Sequence, residues 1–210
     1  MIPCQRHLFQ IPEGITYLNC AYMSPLMAAA VQAGNAGLAR KAQPWNISAQ
    51  DFFTGSEQLR SIAARFFNSS ADEIAIVPSA SYGLQTAAKN VPIARGQKIL
   101  VLEEQFPSNI YPWRRLSRDT GAELVTVPWP SDGDWTAGVL ETLSSDVAIA
   151  ALPNVQWTSG GALNLEMIGA ACRKSGAALV LDLTQSLGVY PFDEQRVQPV
   201  VVRHVLARQH

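Results

Sequence analysis

The sequence predicts an α/β fold built on a mostly parallel sheet. Two observations carry this prediction. Short, almost continuously apolar runs recur along the chain, as expected for strands that are buried on both faces. Segments with apolar residues at helical spacing separate these runs, and strands that alternate with helices indicate βαβ units.

The first 70 residues are predicted to be helical after a short N-terminal arm. One stripe of residues at helical spacing consists of Met27, Val31, Gly34 and Leu38. A second stripe has the i, i+3, i+4, i+7, i+8 spacing of an amphipathic helix and consists of Leu59, Ile62, Ala63, Phe66 and Phe67. These two stripes predict two helices before the first strand.

Short apolar runs after residue 70 are predicted as strands, at 74–77, 98–102, 124–127, 147–152 and 177–181. Helical segments are predicted between them, at Leu84 to Val91, after Pro107 as far as Gly121, and from Leu165 to near Gly176. Parallel sheets bind ligands at the carboxyl ends of their strands. The residues that directly follow each run are therefore the candidates for chemistry.

The composition excludes several classes of protein. Hydrophobic residues make up 48% of the 210 residues and charged residues 16%, with a formal net charge of -1, so nothing favours nucleic acid as a partner. No apolar stretch approaches the roughly 20 residues that span a bilayer, and the N-terminus lacks the apolar segment of a signal peptide. Cys4, Cys20 and Cys172 form no CxxC pair and predict neither zinc nor a disulfide framework. We therefore expect a cytoplasmic protein with no metal ion and no membrane contact.

Small polar and aromatic residues follow several of the predicted strands. Ser79 and Ser81 follow the first run, where a helix N-terminus would hold a phosphate, although a plain N-cap explains them as well. Phe106 follows the second run, where its ring would either stack on a planar ligand or pack as a core residue. Asn154 follows the fourth run and is compatible with a ligand contact or with a turn.

Asp182 closes the last predicted strand. A carboxylate at the end of a buried apolar run is costly unless it has a partner. A cationic heterocycle would be such a partner, while a helix N-cap or a turn accounts for the aspartate equally well. Gln185 lies three residues further on and could contact the same ligand. Together, the groups at the strand ends indicate a single crevice for a flat, phosphorylated, cationic ligand.

Several segments resemble class V aminotransferases, a family of enzymes that use pyridoxal 5'-phosphate (PLP) and that includes cysteine desulfurases, kynureninases and isopenicillin-N-epimerase-like proteins. The segments are YLNCAYMSP, VPSASYGLQTAAKN, LEEQFPSNIYPW and the run from LPNVQWTSGG to DLTQSLGVYPFD. They cover roughly residues 15 to 199. The resemblance implies the three-layer large domain of the aspartate aminotransferase-like fold, incomplete at its C-terminus. It also implies PLP as cofactor, an amino-acid substrate and a homodimer.

The resemblance implies a role for each matching residue of the cofactor site. Ala80 and Ser81 match the turn that holds the PLP phosphate, and Phe106 matches the residue that stacks on the pyridine ring. Asp182 matches the carboxylate that faces the pyridine nitrogen and keeps it protonated, which makes the ring an electron sink. Gln185 matches the donor to the phenolic oxygen of the ring.

Two further matches concern the substrate and the branch of the family. Asn154 matches an asparagine near the phenolic oxygen and the substrate carboxylate, and is expected to bind substrate. Desulfurases usually carry a histidine where this chain has Phe106. The phenylalanine therefore favours the kynureninase or epimerase-like branches.

The sequence departs from the family after Asp182. The Schiff-base lysine of the family is expected about two dozen residues further on, but the lysines of this chain all precede Asp182. Arginine stays protonated and cannot replace it. No catalytic residue is therefore assigned. We expect an N-terminal arm over residues 1–22, a partial PLP-binding domain over 23–199, and a divergent tail over 200–210 that is frameshifted or truncated.

Two functions are compatible with these features. The first is a class V PLP enzyme that acts on an amino acid, with this lysine-free chain expected to be inactive by itself. The alternative is a catalytically inactive PLP-fold module that serves in dimerisation or binding. A nucleotide-binding domain is disfavoured because no GxGxxG or GxxxxGK[ST] motif follows a predicted strand. Transamination, racemisation, desulfuration and C–C cleavage all stay open.

Overall fold

The computed structural model describes residues 3–20, 22–199 and 201–202. The chain divides into two compact units, one that reaches to Glu57 and one that starts at Gln58. Of the tail predicted over 200–210, all residues except Val201 and Val202 lie outside the described residues. The predicted domain limits at residues 22 and 199 stay predictions.

The longest elements of the first unit are helices. Short 3-10 turns at Arg6–Leu8 and Pro44–Asn46 flank helix α1, Ala28–Lys41. Helix α2, Asp51–Phe67, begins in this unit. The two helices that the sequence predicted before the first strand are thus confirmed. An ion pair of 2.9 Å between Arg40 and Asp51 joins the end of α1 to the start of α2.

The second unit is built on a parallel sheet in the order β2-β1-β3-β4-β5. Four of the predicted strands are confirmed, within one residue at each end, as β1 (Lys98–Leu102), β2 (Glu123–Val127), β3 (Val147–Pro153) and β4 (Ala178–Asp182). The two residues Val201–Val202 form β5 beside β4. The predicted parallel arrangement is confirmed for every pair of neighbouring strands.

Helices follow the strands in the second unit, and three of them were predicted. These three are α3 (Ala80–Asn90), α4 (Tyr111–Thr120) and α6 (Leu165–Ser175). Gly121 and Gly176 end α4 and α6 in the left-handed conformation, with φ of 75° and 81°, which is the usual role of glycine there. The helices α5 (Trp135–Thr142) and α7 (Glu194–Val197) were not predicted. In the part of the chain that the structure describes, no helix has the length and apolarity needed to cross a membrane.

Alternate residues of the strands enter two separate cores, because successive side chains of a strand point to opposite faces. Leu100 and Leu102 pack with residues of α2, α5 and α6, whereas Ile99 and Val101 pack with residues of α3 and α4. The sheet is therefore covered on both faces, which is why its strands are apolar throughout.

The predicted strand at 74–77 is wrong. These residues form no strand in the structure, and Ile76 is 46% exposed. A strand requires a neighbour that accepts and donates its backbone hydrogen bonds. None of the described strands pairs with this segment. Its apolar composition resembled that of the sheet strands, but composition carries no information about a pairing partner.

Candidate functional site

A cleft of about 240 Å³ opens at the carboxyl ends of β1, β3 and β4. The loops that follow these strands and the N-terminus of α3 meet there. All five residues predicted to bind the cofactor line the cleft, namely Ala80, Ser81, Phe106, Asp182 and Gln185. Further lining residues, which the sequence did not single out for the site, are Gln105, Ser108, Pro153, Val155, Trp157 and Thr184.

The N-terminus of α3 forms one wall of the cleft. Ser79 is the N-cap, and its hydroxyl oxygen accepts the backbone N–H of Tyr82 at 3.1 Å. The N–H groups of Ala80 and Ser81 donate to no acceptor among the described residues. A helix N-terminus carries partial positive charge and unpaired donors. The two interpretations of this segment are therefore compatible, since Ser79 caps the helix while its neighbours leave donors for an anion.

An aromatic pair forms a second wall. The rings of Phe106 and Trp157 meet edge to face, with 5.2 Å between centroids and 88° between planes. Phe106 is 40% exposed, so it is not a closed core residue and keeps ring surface for a ligand in the cleft. The indole N–H of Trp157 donates to the backbone oxygen of Glu104 at 2.7 Å, which ties the loop after β3 to the loop after β1.

Asp182 and Gln185 lie at the end of β4. One carboxylate oxygen of Asp182 accepts both the backbone N–H of Thr184 at 3.1 Å and its hydroxyl at 2.6 Å. The turn role that the sequence left open is thus present. The second oxygen accepts no hydrogen bond from the described residues. The side chain of Gln185 likewise has no hydrogen bond in the described part of the chain, so both residues keep polar atoms for a ligand.

The structure does not bring Asn154 into this cleft. Its neighbours Pro153 and Val155 line the cleft, and the alternation of side chains along an extended segment turns Asn154 away. Asn154 is 2% exposed and lines a different cavity of about 450 Å³ beside Leu163, to whose carbonyl its amide donates at 3.3 Å. Its predicted substrate role stays a prediction.

The buried cysteine is not a candidate nucleophile. Cys172 lies on α6 in the core, and burial raises the pKa of its thiol to about 11. A thiol with so high a pKa holds little thiolate at neutral pH, and the thiolate is the nucleophile. Cys172 is therefore a structural residue.

The cleft combines anion donors, an aromatic wall and a carboxylate. Its volume lies just below the range of roughly 300–1,000 Å³ that is usual for drug-sized ligands. A single small ring with an anionic arm therefore fits better than a dinucleotide. The donors at Ala80 and Ser81 suit the anionic arm, Phe106 suits the ring, and Asp182 suits a cationic ring atom.

Comparison with known proteins identifies relatives of this chain. The family model described as Aminotransferase class-V matches residues 34–199. A probable cysteine desulfurase of Pyrococcus abyssi is 26% identical over 144 residues, which is 68% of this chain and 36% of that relative. A cysteine desulfurase of Klebsiella pneumoniae is 30% identical over 147 residues, which is 66% of this chain and 36% of that relative. The chain thus spans about a third of the length of these curated relatives.

Solved structures of the same fold cover a larger share of the chain. A C-DES mutant with glycine covalently linked to its PLP cofactor superposes with a TM-score of 0.82 at 24% identity, over 94% of this chain and 54% of that chain. A cysteine desulfurase from Escherichia coli superposes with a TM-score of 0.75 at 19% identity, over 92% and 51%. The predicted fold is confirmed. These relatives are desulfurases and a cystine C–S lyase, so they give no support to the preference for the kynureninase or epimerase-like branches.

Proposed function

This chain belongs to the class V aminotransferases, and on that premise we propose that the cleft is the site in which it holds PLP. The single observation that carries the proposal is the convergence of hydrogen-bond donors suited to a phosphate, an aromatic wall and an aspartate at one edge of the sheet. Each of these groups comes from a different segment of the chain.

The phosphate would lie at the N-terminus of α3. The N–H groups of Ala80 and Ser81 and the hydroxyl of Ser81 are the donors of this wall. Bonds from such groups to a charged oxygen are stronger than bonds between neutral partners. The helix dipole adds to this attraction within the first turn.

The pyridine ring would lie between Phe106 and Asp182. When bound, PLP supplies an electron sink for charge at the α-carbon of an amino acid, provided that its ring nitrogen is protonated. The Asp182 carboxylate would hold that proton on the nitrogen through a charge-assisted hydrogen bond. Thr184 would keep the carboxylate oriented through its two hydrogen bonds, and Gln185 would donate to the phenolic oxygen.

An amino-acid substrate, a homodimer and a cytoplasmic location belong to the same proposal. The relatives named as desulfurases point to a sulfur-containing amino acid. The chain covers 36% of those relatives, so the activity of the whole protein is proposed and rests on family membership. Binding without catalysis, as a PLP-fold module, is the alternative, and the two differ in turnover and not in binding.

Titration of the purified chain with PLP, followed by quenching of tryptophan fluorescence, tests the proposal. Asp182→Asn keeps an acceptor for the Thr184 N–H but removes the charge, and should weaken PLP binding by tenfold or more, about 1.4 kcal/mol. Asp119→Asn, on the exposed surface of α4, is the control and should bind PLP like the wild type. Equal affinity of Asp182→Asn and wild type would contradict the assignment of Asp182. Because this lysine-free chain is expected to be inactive by itself under either function, the same samples should release no sulfide from L-cysteine, and sulfide release would contradict that expectation.

A further inference from the structure

Gln105 is a buried side chain of the cleft with one hydrogen-bonding group unused. It follows β1 directly before Phe106 and is 9% exposed. Its Oε1 atom accepts the backbone N–H of Phe106 at 3.2 Å. Only the oxygen of an amide can accept from an N–H group. This contact favours the orientation with Oε1 towards the Phe106 N–H, and Nε2 is then left without an acceptor among the described residues.

The backbone beside Gln105 is held in place from a second loop. Glu104 has a φ of 51°, in the left-handed region that non-glycine residues seldom adopt. Its carbonyl oxygen accepts the indole N–H of Trp157 at 2.7 Å and the Nε2 of Gln156 at 3.5 Å. Because the residue before Gln105 is fixed in this way, Gln105 is held in the wall of the cleft.

Buried donors without acceptors are rare in folded proteins, and each one calls for an explanation. In the described part of the chain three buried side-chain atoms lack a partner, on Gln105, Asn109 and Asn154. Of these residues only Gln105 lines the cleft between Ser81, Phe106 and Asp182. A ligand in the cleft is therefore the partner that accounts for this donor.

We propose that Gln105 is a ligand-binding residue whose Nε2 donates to an anionic oxygen of the molecule held in the cleft. The inference rests on the proposed function, since it takes the occupant to be PLP or PLP with an amino acid. Two oxygens have the required chemistry, one on the PLP phosphate and one on the amino-acid carboxylate. A neutral N–H group can donate to either oxygen, so the experiment has to distinguish the phosphate contact from the carboxylate contact.

Gln105→Glu is the informative variant. A glutamate keeps an oxygen for the Phe106 N–H, but it replaces the donor with an oxygen that repels an anion. Gln97→Glu is the matched control, because the Oε1 of Gln97 accepts the backbone N–H of Ala94 at 2.8 Å and Gln97 directly precedes β1, at the opposite end of the sheet from the cleft. Gln105→Met, an uncharged variant of similar length, covers the case in which the buried glutamate prevents folding.

The measurement is the dissociation constant of PLP, of pyridoxal without its phosphate, and of L-cysteine added to PLP-saturated chain, with a thermal melt of each variant. A phosphate contact predicts PLP binding at least tenfold weaker in Gln105→Glu and Gln105→Met, with pyridoxal binding unchanged. A carboxylate contact predicts unchanged PLP binding and weaker binding of L-cysteine. In both cases Gln97→Glu binds like the wild type.

Other outcomes overturn the inference. If the wild type binds PLP and both Gln105 variants bind all three ligands with wild-type affinity, Gln105 contacts no ligand, while the proposed function stands. If the variants melt at lower temperature without loss of affinity, Gln105 has a structural role only. If the wild-type chain itself binds neither PLP nor pyridoxal, the proposed function falls and the inference falls with it.

Discussion

Trp157 donates its indole N–H to the carbonyl oxygen of Glu104 at 2.7 Å, and Glu104 has a left-handed φ of 51°. A non-glycine residue in this region costs about 1–3 kcal/mol and persists where its surroundings hold it. Trp157 also contacts the ring of Phe106 edge to face. One side chain therefore holds both a strained backbone and the aromatic wall of the cleft.

Trp157→Phe keeps an aromatic ring but removes the N–H donor. We expect a loss of about 1 kcal/mol in the free energy of unfolding and weaker PLP binding, because the loop that carries Gln105 and Phe106 is no longer held. Trp129→Phe is the control, since Trp129 is 44% exposed, against 45% for Trp157, and packs edge to face on Trp135 outside the cleft. Urea unfolding and PLP titration of both variants check this. Unchanged PLP affinity in Trp157→Phe would show that the bond does not organise the site.

Sequence patterns predicted most of the sheet, for a reason that lies in its burial. Strands such as β1 and β3 are apolar on both faces, so their burial is visible in the sequence. The segment at 74–77 has the same composition but no neighbour, and pairing is a property of the fold. Helix α5 was missed although Asp134 caps it, accepting from Thr136 and Ala137.

Phe106 and Asp182 were predicted as site residues because each follows an apolar run, and a polar or aromatic residue at that point interrupts the pattern. Gln105 and Trp157 lie in polar loops, where their residue types carry no signal. Their importance comes from burial and from one bond between distant loops, which only the folded chain shows. Asn154 was expected in the cleft because it follows a strand. The side chain of Asn154 points away from the cleft, because a shift of one residue along an extended segment moves a side chain to the opposite face.

The ion pair between Lys98 and Asp146 should make stability depend on pH at the acid end. Their charged groups are 2.7 Å apart, and hydrogen bonds from Lys98 and Ser144 hold the pKa of Asp146 below the ordinary 3.8. A lowered carboxyl pKa contributes stability above the unfolded-state value and loses it as the pH falls through the folded-state value. Hydrogen bonding to Asp146 raises the pKa of Lys98, so the contribution of Lys98 is lost only in strong alkali.

Asp146→Asn should therefore be less stable than the wild type near neutral pH, with a difference that shrinks as the pH falls below 3.8. Urea unfolding at a series of pH values measures this. Asp119→Asn, at the exposed pair with Arg115 on α4, should show little difference at neutral pH, because surface pairs contribute little. A destabilisation by Asp146→Asn that persists unchanged in acid would mean that the effect is not electrostatic.

Gly169→Ala should destabilise the second unit. Gly169 is buried on α6, and an added Cβ would overlap the carbonyl oxygen of Val197, which also accepts from the Arg173 guanidinium at 2.6 Å. A backbone atom cannot rotate away, so overpacking should cost about 1–3 kcal/mol. Gly37→Ala in α1, where a Cβ meets nothing within 4 Å, is the control and should be neutral or stabilising. Thermal melts of both variants check the prediction, which fails if Gly169→Ala melts at or above the wild-type temperature.

PLP held in this cleft should not become attached to the chain when borohydride is added. Only Lys41, Lys89, Lys98 and Lys174 are present, and none of them lines the cleft. Lys98 begins β1, at the end of the strand opposite the cleft. Lys89 lies about 14 Å along α3 from the helix N-terminus, which is the end that faces the cleft. Intact-mass spectrometry after reduction should therefore show mostly unmodified protein, with minor labelling spread over exposed lysines. Stoichiometric labelling at one lysine, located by peptide mapping and abolished by Asp182→Asn, would contradict this arrangement, because it would require a lysine amine at the ring.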